Sequence, residues 1–187
     1  MTPNCPERFI DDSPSGAYFS ECGLYRYALW RRWWDDCCLT DMACFIGLNP
    51  STADATQDDP TIRRCISFAK QWKRGGIVML NLFAYRATDP KAMKQVTDPV
   101  GPLNDEAIRR TTRCYPLVCC WGAHGGHHNR SNVVLSIIGR KFVKHLGMTK
   151  AGQPKHPLYL PSDTQLQDYS PRCRTVLHFQ GEQLEMR

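Results

Sequence analysis

Three apolar runs in this chain each end on a residue that can make directional polar contacts. Cys44-Phe45-Ile46-Gly47-Leu48 delivers Asn49 into a turn stiffened by Pro50. Ile77-Val78-Met79-Leu80 stops at Asn81, and Leu117-Val118-Cys119-Cys120 stops at Trp121-Gly122-Ala123-His124. A side-chain amide presents a donor and an acceptor together, which suits the edge of a nucleobase. Asn81 is the candidate reader of such an edge, and Asn49 the candidate holder of a water. The plainer reading makes each a turn or strand-end asparagine bonded to nearby backbone. A fourth segment, Lys150-Ala151-Gly152-Gln153-Pro154-Lys155-His156-Pro157, sets an imidazole between two prolines. His156 there can stabilise a developing anion or act as an acid; the alternative is a solvated loop histidine.

For these groups to meet, the apolar runs must be neighbouring strands of one sheet, with the polar residues at their carboxyl ends. In open α/β sheets that is where ligands bind. The pattern between the runs agrees. Residues 43–48 read as the first core strand. Asp59 caps a helix that opens on Pro60 and runs to about Lys73, with Ile62, Ile66 and Ala69 and also Cys65, Phe68 and Trp72 at helical spacing. A second strand follows at 77–80. A long connection, Phe83 to Val100, contains Asp89-Pro90 and Asp98-Pro99. Asn104 reads as the cap of a second helix, with Asp105 and Glu106 in its first turn and Arg109, Arg110 and Arg113 later, as the helix dipole favours. The third strand is 117–120. A Gly/His turn spans 122–129, and a helix is predicted over Ser131–Leu146, burying Val133, Val134, Ile137, Ile138 and Phe142. A loop at Thr149–Pro157 leads to a short strand at Leu158–Leu160, and a last strand is read at Thr175–Phe179.

Ahead of this core, Gly23 to Trp34 alternates Tyr25, Tyr27 and Leu29 with Arg26 and Ala28, which suits a strand covering one flank; a basic aromatic surface for nucleic acid is the other reading. The alternation of strands and helices predicts an α/β fold, a three-layer α/β/α sandwich with a central parallel sheet. A chain of 187 residues is read as one domain: an irregular N-terminal arm over 1–22, a core over 23–162 and a C-terminal extension over 163–187.

Composition bounds the partners. No apolar run approaches the roughly 20 residues that span a bilayer, and residues 1–7 have neither a basic start nor an apolar stretch, so a cytoplasmic location is expected. The ten cysteines then read as free thiols. Without a C-x-x-C pair, and with only His124, His127 and His128 clustered in sequence, no metal or other cofactor is expected. The net charge of +6 favours an anionic partner, most simply DNA or a nucleotide. Candidates for phosphate contacts are Ser51, Thr52, Arg63, Arg86, Lys150 and Lys155. Arg63 also belongs to a cluster with Asp58, Asp59 and Arg64 that reads as a salt-bridged helix end. Phe83, Tyr85 and Trp121 are candidates for stacking, and His124 for facing the base. Nothing in the sequence sets the oligomeric state; a monomer is expected.

Taken in order, Gly47-Leu48-Asn49-Pro50, Met79-Leu80-Asn81, Trp121-Gly122-Ala123-His124 and His156-Pro157 resemble the motifs of the uracil-DNA glycosylase superfamily. The resemblance implies that superfamily's fold and hydrolysis of the N-glycosidic bond of a flipped nucleobase. It casts Asn49 and His156 as catalytic and Asn81 as the base reader. Asn49 stands where the superfamily often has Asp, and Leu158 where its last motif has Ser; a modified base rather than ordinary uracil is the expectation. More closely, Leu48-Asn49-Pro50-Ser51-Thr52-Ala53-Asp54, Asp59-Pro60-Thr61-Ile62-Arg63-Arg64, the segment 81–90, Trp121-Gly122 and the segment 152–160 are similar to the DUF1643 family of uncharacterised bacterial and phage proteins. That likeness implies a family and no activity. The alternatives to a glycosylase are a non-catalytic binder of nucleic acid or nucleotide and an enzyme of free nucleotides.

Overall fold

The structure, a computed structural model, describes residues 7–112, 116–139 and 143–170. Seven strands form one sheet: β1 (Ser15–Phe19), β2 (Arg26–Arg32), β3 (Met42–Gly47), β4 (Gly76–Asn81), β5 (Leu117–Cys119), β6 (Val143–His145) and β7 (Gln167–Asp168), in the order β1-β2-β4-β3-β5-β6-β7. Four helices accompany them: α1 (Pro60–Gln71), α2 (Pro90–Gln95), α3 (Asn104–Thr111) and α4 (Arg130–Ile137). β4, β3, β5 and β6 run parallel. Three antiparallel pairings complete the sheet: β1 on β2, β2 on β4, and β7 on β6. The sheet is therefore mixed and not wholly parallel as expected. The reason is local for β1 and β2, which are joined by a tight turn in which Gly23 N–H donates to Ser20 O. A tight turn can only reverse the chain, whereas parallel neighbours need a crossover.

Successive side chains of the central strands point to opposite faces and fill two cores. Phe45, Ile77, Met79, Val118 and Cys120 pack with Ile62, Cys65, Phe68 and Ala69 of α1. Cys44, Ile46, Val78, Leu80 and Cys119 pack with Met93 of α2, Ala107 and Ile108 of α3, and Val134 and Leu135 of α4. Helices thus cover both faces, as in an α/β protein with buried parallel strands. Each large side chain buried in these cores contributes about 1.5–3 kcal/mol relative to exposure. α1 begins where the sequence indicates: the Asp59 side chain accepts from Ile62 N–H at 2.8 Å, with Pro60 at the first helical position.

Several expectations are corrected. The N-terminal arm contributes β1, so β2 is an internal strand with nearly all of its residues buried, and the aromatic-basic run is not an open surface. Asn104 does not cap α3. It is buried as the first helical residue and donates to Asn81 O and Leu82 O at 3.1 and 3.0 Å, while Leu103 holds the cap position. The predicted helix 131–146 ends at Ile137, because Gly139 takes φ +77° and breaks it; Val143–His145 then forms β6, and Val133 is exposed. The expected strand at 158–160 is a 3-10 turn, Pro157–Tyr159. The C-terminal extension contributes β7. The long 83–100 connection holds α2, opened by Asp89, which accepts from Lys91 N–H. Arg113, Phe142 and the strand at Thr175–Phe179 lie outside the described residues. Among those described, no helix is long and apolar enough to cross a membrane.

Candidate functional site

In chain order the parallel strands β3, β4, β5 and β6 lie as second, first, third and fourth, so the sheet reverses its winding between β3 and β5. Ligands in such sheets settle in the crevice at that reversal, outside the carboxyl ends. A cavity of about 510 Å³ lies there, lined by Leu48 and Asn49 after β3, Asn81 ending β4 and Cys120 to His124 after β5. A volume of a few hundred cubic ångströms matches a small-molecule site.

The turn after β3 is clasped to the loop after β4. The Asn49 Nδ2 donates to Ala87 O at 2.7 Å and Pro50 O at 3.0 Å, and Ala87 N–H returns a bond to Pro50 O at 2.9 Å. Two carbonyl partners fix which end of the amide is nitrogen. They leave the Asn49 Oδ1 without a protein partner among the described residues, so the group can only accept from a ligand or water.

Asn81 is anchored differently. Its own carbonyl and that of Leu82 receive the Asn104 amide, and Leu82 O also accepts from Arg130 Nε at 2.7 Å. Arg130 is in turn paired with Asp105. The Asn81 side chain is left for the cavity: the residue is 3% exposed and its Nδ2 is buried with no partner. The neighbouring Gly47 makes room, because a Cβ there would lie 3.0 Å from the Asn81 Oδ1. A buried amide N–H without a partner costs about 1–3 kcal/mol, so an acceptor brought within its reach would be favoured.

The end of β5 builds the histidine segment. The Trp121 Nε1 donates to Gln153 Oε1 at 2.7 Å and Gly122 N–H donates to Pro154 O at 2.9 Å. Gly125 lets the chain lie flat on the indole; a Cβ there would overlap Trp121 Cδ1 at 1.9 Å. These contacts place His156 on the cavity wall. Its Nδ1 accepts from Leu158 N–H at 3.4 Å, and burial pushes the imidazole below its ordinary pKa against an opposing pull from Asp59. A neutral imidazole that accepts at Nδ1 carries its proton on Nε2 and is a hydrogen-bond donor.

Of the residues singled out from sequence, Asn49, Ser51, Thr52, Asn81, Trp121, His124 and His156 line this one cavity. Others do not. Phe83 is buried in the core on the α2–α4 face, and Tyr85 packs edge-on against Tyr25 at 5.9 Å. Arg63 donates to Asp58 O. Arg86 donates to Gly23 O at 3.1 Å with its guanidinium over the Phe19 ring. Lys150 and Lys155 are exposed outside the cavity. Trp121 lines the cavity, yet its indole is only 1% exposed and is tied to Gln153, so it organises the wall and is not an open stacking face. The His124 Nδ1 lies 3.0 Å from the Lys94 Nζ.

Three lining residues escaped the sequence reading. Asp59 has one carboxylate oxygen on Ile62 N–H and its charge reaches both His156 and Arg26. Its Asp-Pro helix start was legible, but the second use of the carboxylate was not. Arg26, at the start of β2, is 2% exposed, and its Nη1 donates to Ala53 O at 2.8 Å. Tyr159, at the rim, is 85% exposed. Cys120 also lines the cavity, but burial pushes its thiol up to about 12, so it is no nucleophile at neutral pH.

Compared with known families, residues 26–158 match the family model described as a protein of unknown function, DUF1643. No curated protein matches, and no solved structure matches.

Proposed function

The chain belongs to the DUF1643 family, and we propose that its cavity binds a nucleobase and hydrolyses the N-glycosidic bond that joins it to its sugar. The observation that carries this reading is the Asn81 side chain. Its Nδ2 is buried without a partner, and the residue lines the same cavity as His156, a neutral imidazole donor. A ring that presents carbonyl or aza acceptors to Asn81 also gathers negative charge when its bond to the sugar breaks, and a donor at His156 stabilises that charge.

The reaction needs a water to replace the base. The carbon–nitrogen bond breaks with its electron pair leaving on the base. The water oxygen bonds to the anomeric carbon, and the water's proton ends on the base or the solvent. Asp59 is the carboxylate among the lining residues, with one oxygen on Ile62 N–H and the other available to receive that proton. The Asn49 Oδ1 orients the same water by accepting from it. The role of Asn49 is thus narrower than a base: it holds the turn and contributes one acceptor. Tyr159, the exposed aromatic at the rim, is the candidate stacking face in place of Phe83, Tyr85 and Trp121.

The test is direct. The purified protein is incubated with nucleosides, nucleotides, and single- and double-stranded DNA carrying normal and modified bases, and the released base is scored by mass spectrometry. Release that is lost in Asp59→Asn while the variant keeps its ligand affinity supports hydrolysis. Ligand binding without release from any substrate overturns it in favour of a binding protein.

A further inference from the structure

Three arginines of the described residues are buried, and they are not alike. Arg31 is paired with Asp58 at 2.9 Å and Arg130 with Asp105. Arg26 has no carboxylate within ion-pair distance among the described residues. Its side chain makes one protein hydrogen bond among the described residues, Nη1 on the Ala53 carbonyl, and its Nε is buried without a partner. Desolvating a guanidinium without a counter-charge costs several kcal/mol, so buried charges are normally paired. Arg26 is the one of the three that lines the cavity.

We propose that the cavity takes a free nucleoside 5′-monophosphate, whose phosphate is the missing counter-charge of Arg26, and not a base flipped out of a nucleic-acid strand. This rests on the nucleobase reading above and adds the substrate class to it. A guanidinium matches a phosphate by a forked pair of hydrogen bonds. The first turn of α1 contributes further: Thr61 lines the cavity and its N–H is among the donors a helix start leaves open. Burial pulls the Arg26 pKa down to about 10, which still leaves the group charged at neutral pH.

The same cavity holds Asp59, which repels an anion. Its charge is partly absorbed by the Ile62 N–H, and it acts on the Arg26 guanidinium from beyond ion-pair distance, so carboxylate and guanidinium remain separate groups of one lining. A ligand with one anionic end and one neutral polar end satisfies that division.

The surface argues in the same direction. A protein that threads a strand past its pocket lines the mouth with cations that follow the phosphates. Here Arg63 and Arg86 are tied to backbone carbonyls, and Lys150 and Lys155 stand away from the cavity. Among the lining residues the formal cation is Arg26, and one further cation, Lys94, stands beside the lining His124.

The experiment is isothermal titration of the full chain with the four common ribonucleoside and deoxyribonucleoside 5′-monophosphates, their nucleosides, inorganic phosphate and a short single-stranded oligonucleotide, at low and high salt. A charge-assisted contact corresponds to a monophosphate bound about 10- to 100-fold tighter than its nucleoside. That preference should shrink in Arg26→Lys, which keeps the charge and loses the fork, and vanish in Arg26→Gln. If the variants fail to fold, the wild-type preference alone decides. Equal affinity for nucleoside and monophosphate overturns the proposal. So does an oligonucleotide that binds more tightly than any monophosphate, with the steep salt dependence of several phosphate contacts. The two readings fail separately: base release without a monophosphate preference sinks the substrate class alone, and monophosphate binding without base release sinks hydrolysis alone.

Discussion

Asn81→Leu should make the protein more stable and less able to bind. Leucine has nearly the branched shape of asparagine, and the change removes a buried N–H that has no partner. The Asn81 Oδ1 likewise has no protein partner among the described residues, so no bond is lost in exchange. Relief of one unsatisfied donor amounts to about 1–3 kcal/mol. For a chain of this size each kcal/mol moves the melting temperature by about 2–4 °C, so a rise of about 2–12 °C is expected in the ligand-free protein. Overpacking is the opposing effect, at about 1–3 kcal/mol where a core cannot yield. It is reduced here because Gly47 presents only hydrogen toward the Oδ1, leaving the space a Cβ would otherwise approach to 3.0 Å.

Binding should move the other way. The ligand acceptor that Asn81 meets in the wild type would face a methyl group, and affinity should fall about 10- to 100-fold. The assay pairs urea unfolding of the unliganded variant with titration of the tightest wild-type ligand. A variant that unfolds at lower urea than the wild type would refute the reasoning, since it would mean the amide is already satisfied without ligand. An unstable variant with unchanged affinity would in addition remove Asn81 from the site.

Burial holds His127, His145 and His156 below their ordinary pKa. The unfolded chain therefore takes up more protons than the folded one as pH falls through about 6.5, and stability is present above that pH and lost below it. Urea midpoints should drop between neutral pH and about pH 5, above the range where carboxylates titrate; a flat profile would contradict it. Among the thiols, Cys22 is exposed and its pKa is lowered by its hydrogen bond with Ser20, whereas burial raises Cys65 and Cys119 and puts Cys120 at about 12. Limited alkylation followed by peptide mass mapping should modify Cys22 well before those three in the native protein, and labelling of Cys120 at a comparable rate would show that the cavity floor opens.

The parts of this site that the sequence disclosed are those where two signals coincide. An apolar run gives the strand and a polar residue at its end gives the site, which is why Asn49 and Asn81 were found. His156 was legible because the two prolines around it mark a stiff loop. Arg26 was not, because alternation assigns a side chain to a face but says nothing of what covers that face. It is buried by the 51–59 loop, whose Ala53 carbonyl it binds, and that loop follows it by more than twenty residues. Tyr159 was read within a strand because Leu158-Tyr159-Leu160 is apolar; Pro157 instead starts a 3-10 turn and exposes the ring. The helix drawn through 131–146 failed for a related reason. Val143 and His145 are both buried two residues apart, a strand spacing hidden inside a longer apolar stretch, and the sequence gives no φ for Gly139.

The buried polar groups of this chain separate positioning from binding. Asn104 and Arg130 reach the backbone beside Asn81, Gln153 holds Trp121, and the Asn49 amide hydrogens close the turn on Ala87. In each of these contacts a donor meets a protein acceptor, and each contact fixes the place of a cavity residue. Asn81 and Arg26 lie within the same framework and still carry donors that meet none. Several other buried arginine Nε atoms share that state, so an unpartnered Nε alone would mean little; Arg26 is set apart as a 2% exposed arginine that lacks a carboxylate at ion-pair distance and lines the cavity, and Asn81 as a 3% exposed lining residue whose side chain has no protein partner among the described residues. Two unfilled donors, one charged and one neutral, in a cavity of about 510 Å³ describe a ligand with an anionic end and a polar, acceptor-bearing ring within one molecule's length. A nucleoside monophosphate has both, and a neutral nucleoside lacks the first. If Arg26 were only a strap for the 51–59 loop, replacing it would loosen the loop and weaken every ligand by a similar factor. A loss confined to the phosphorylated ligands is the outcome that a strap cannot produce.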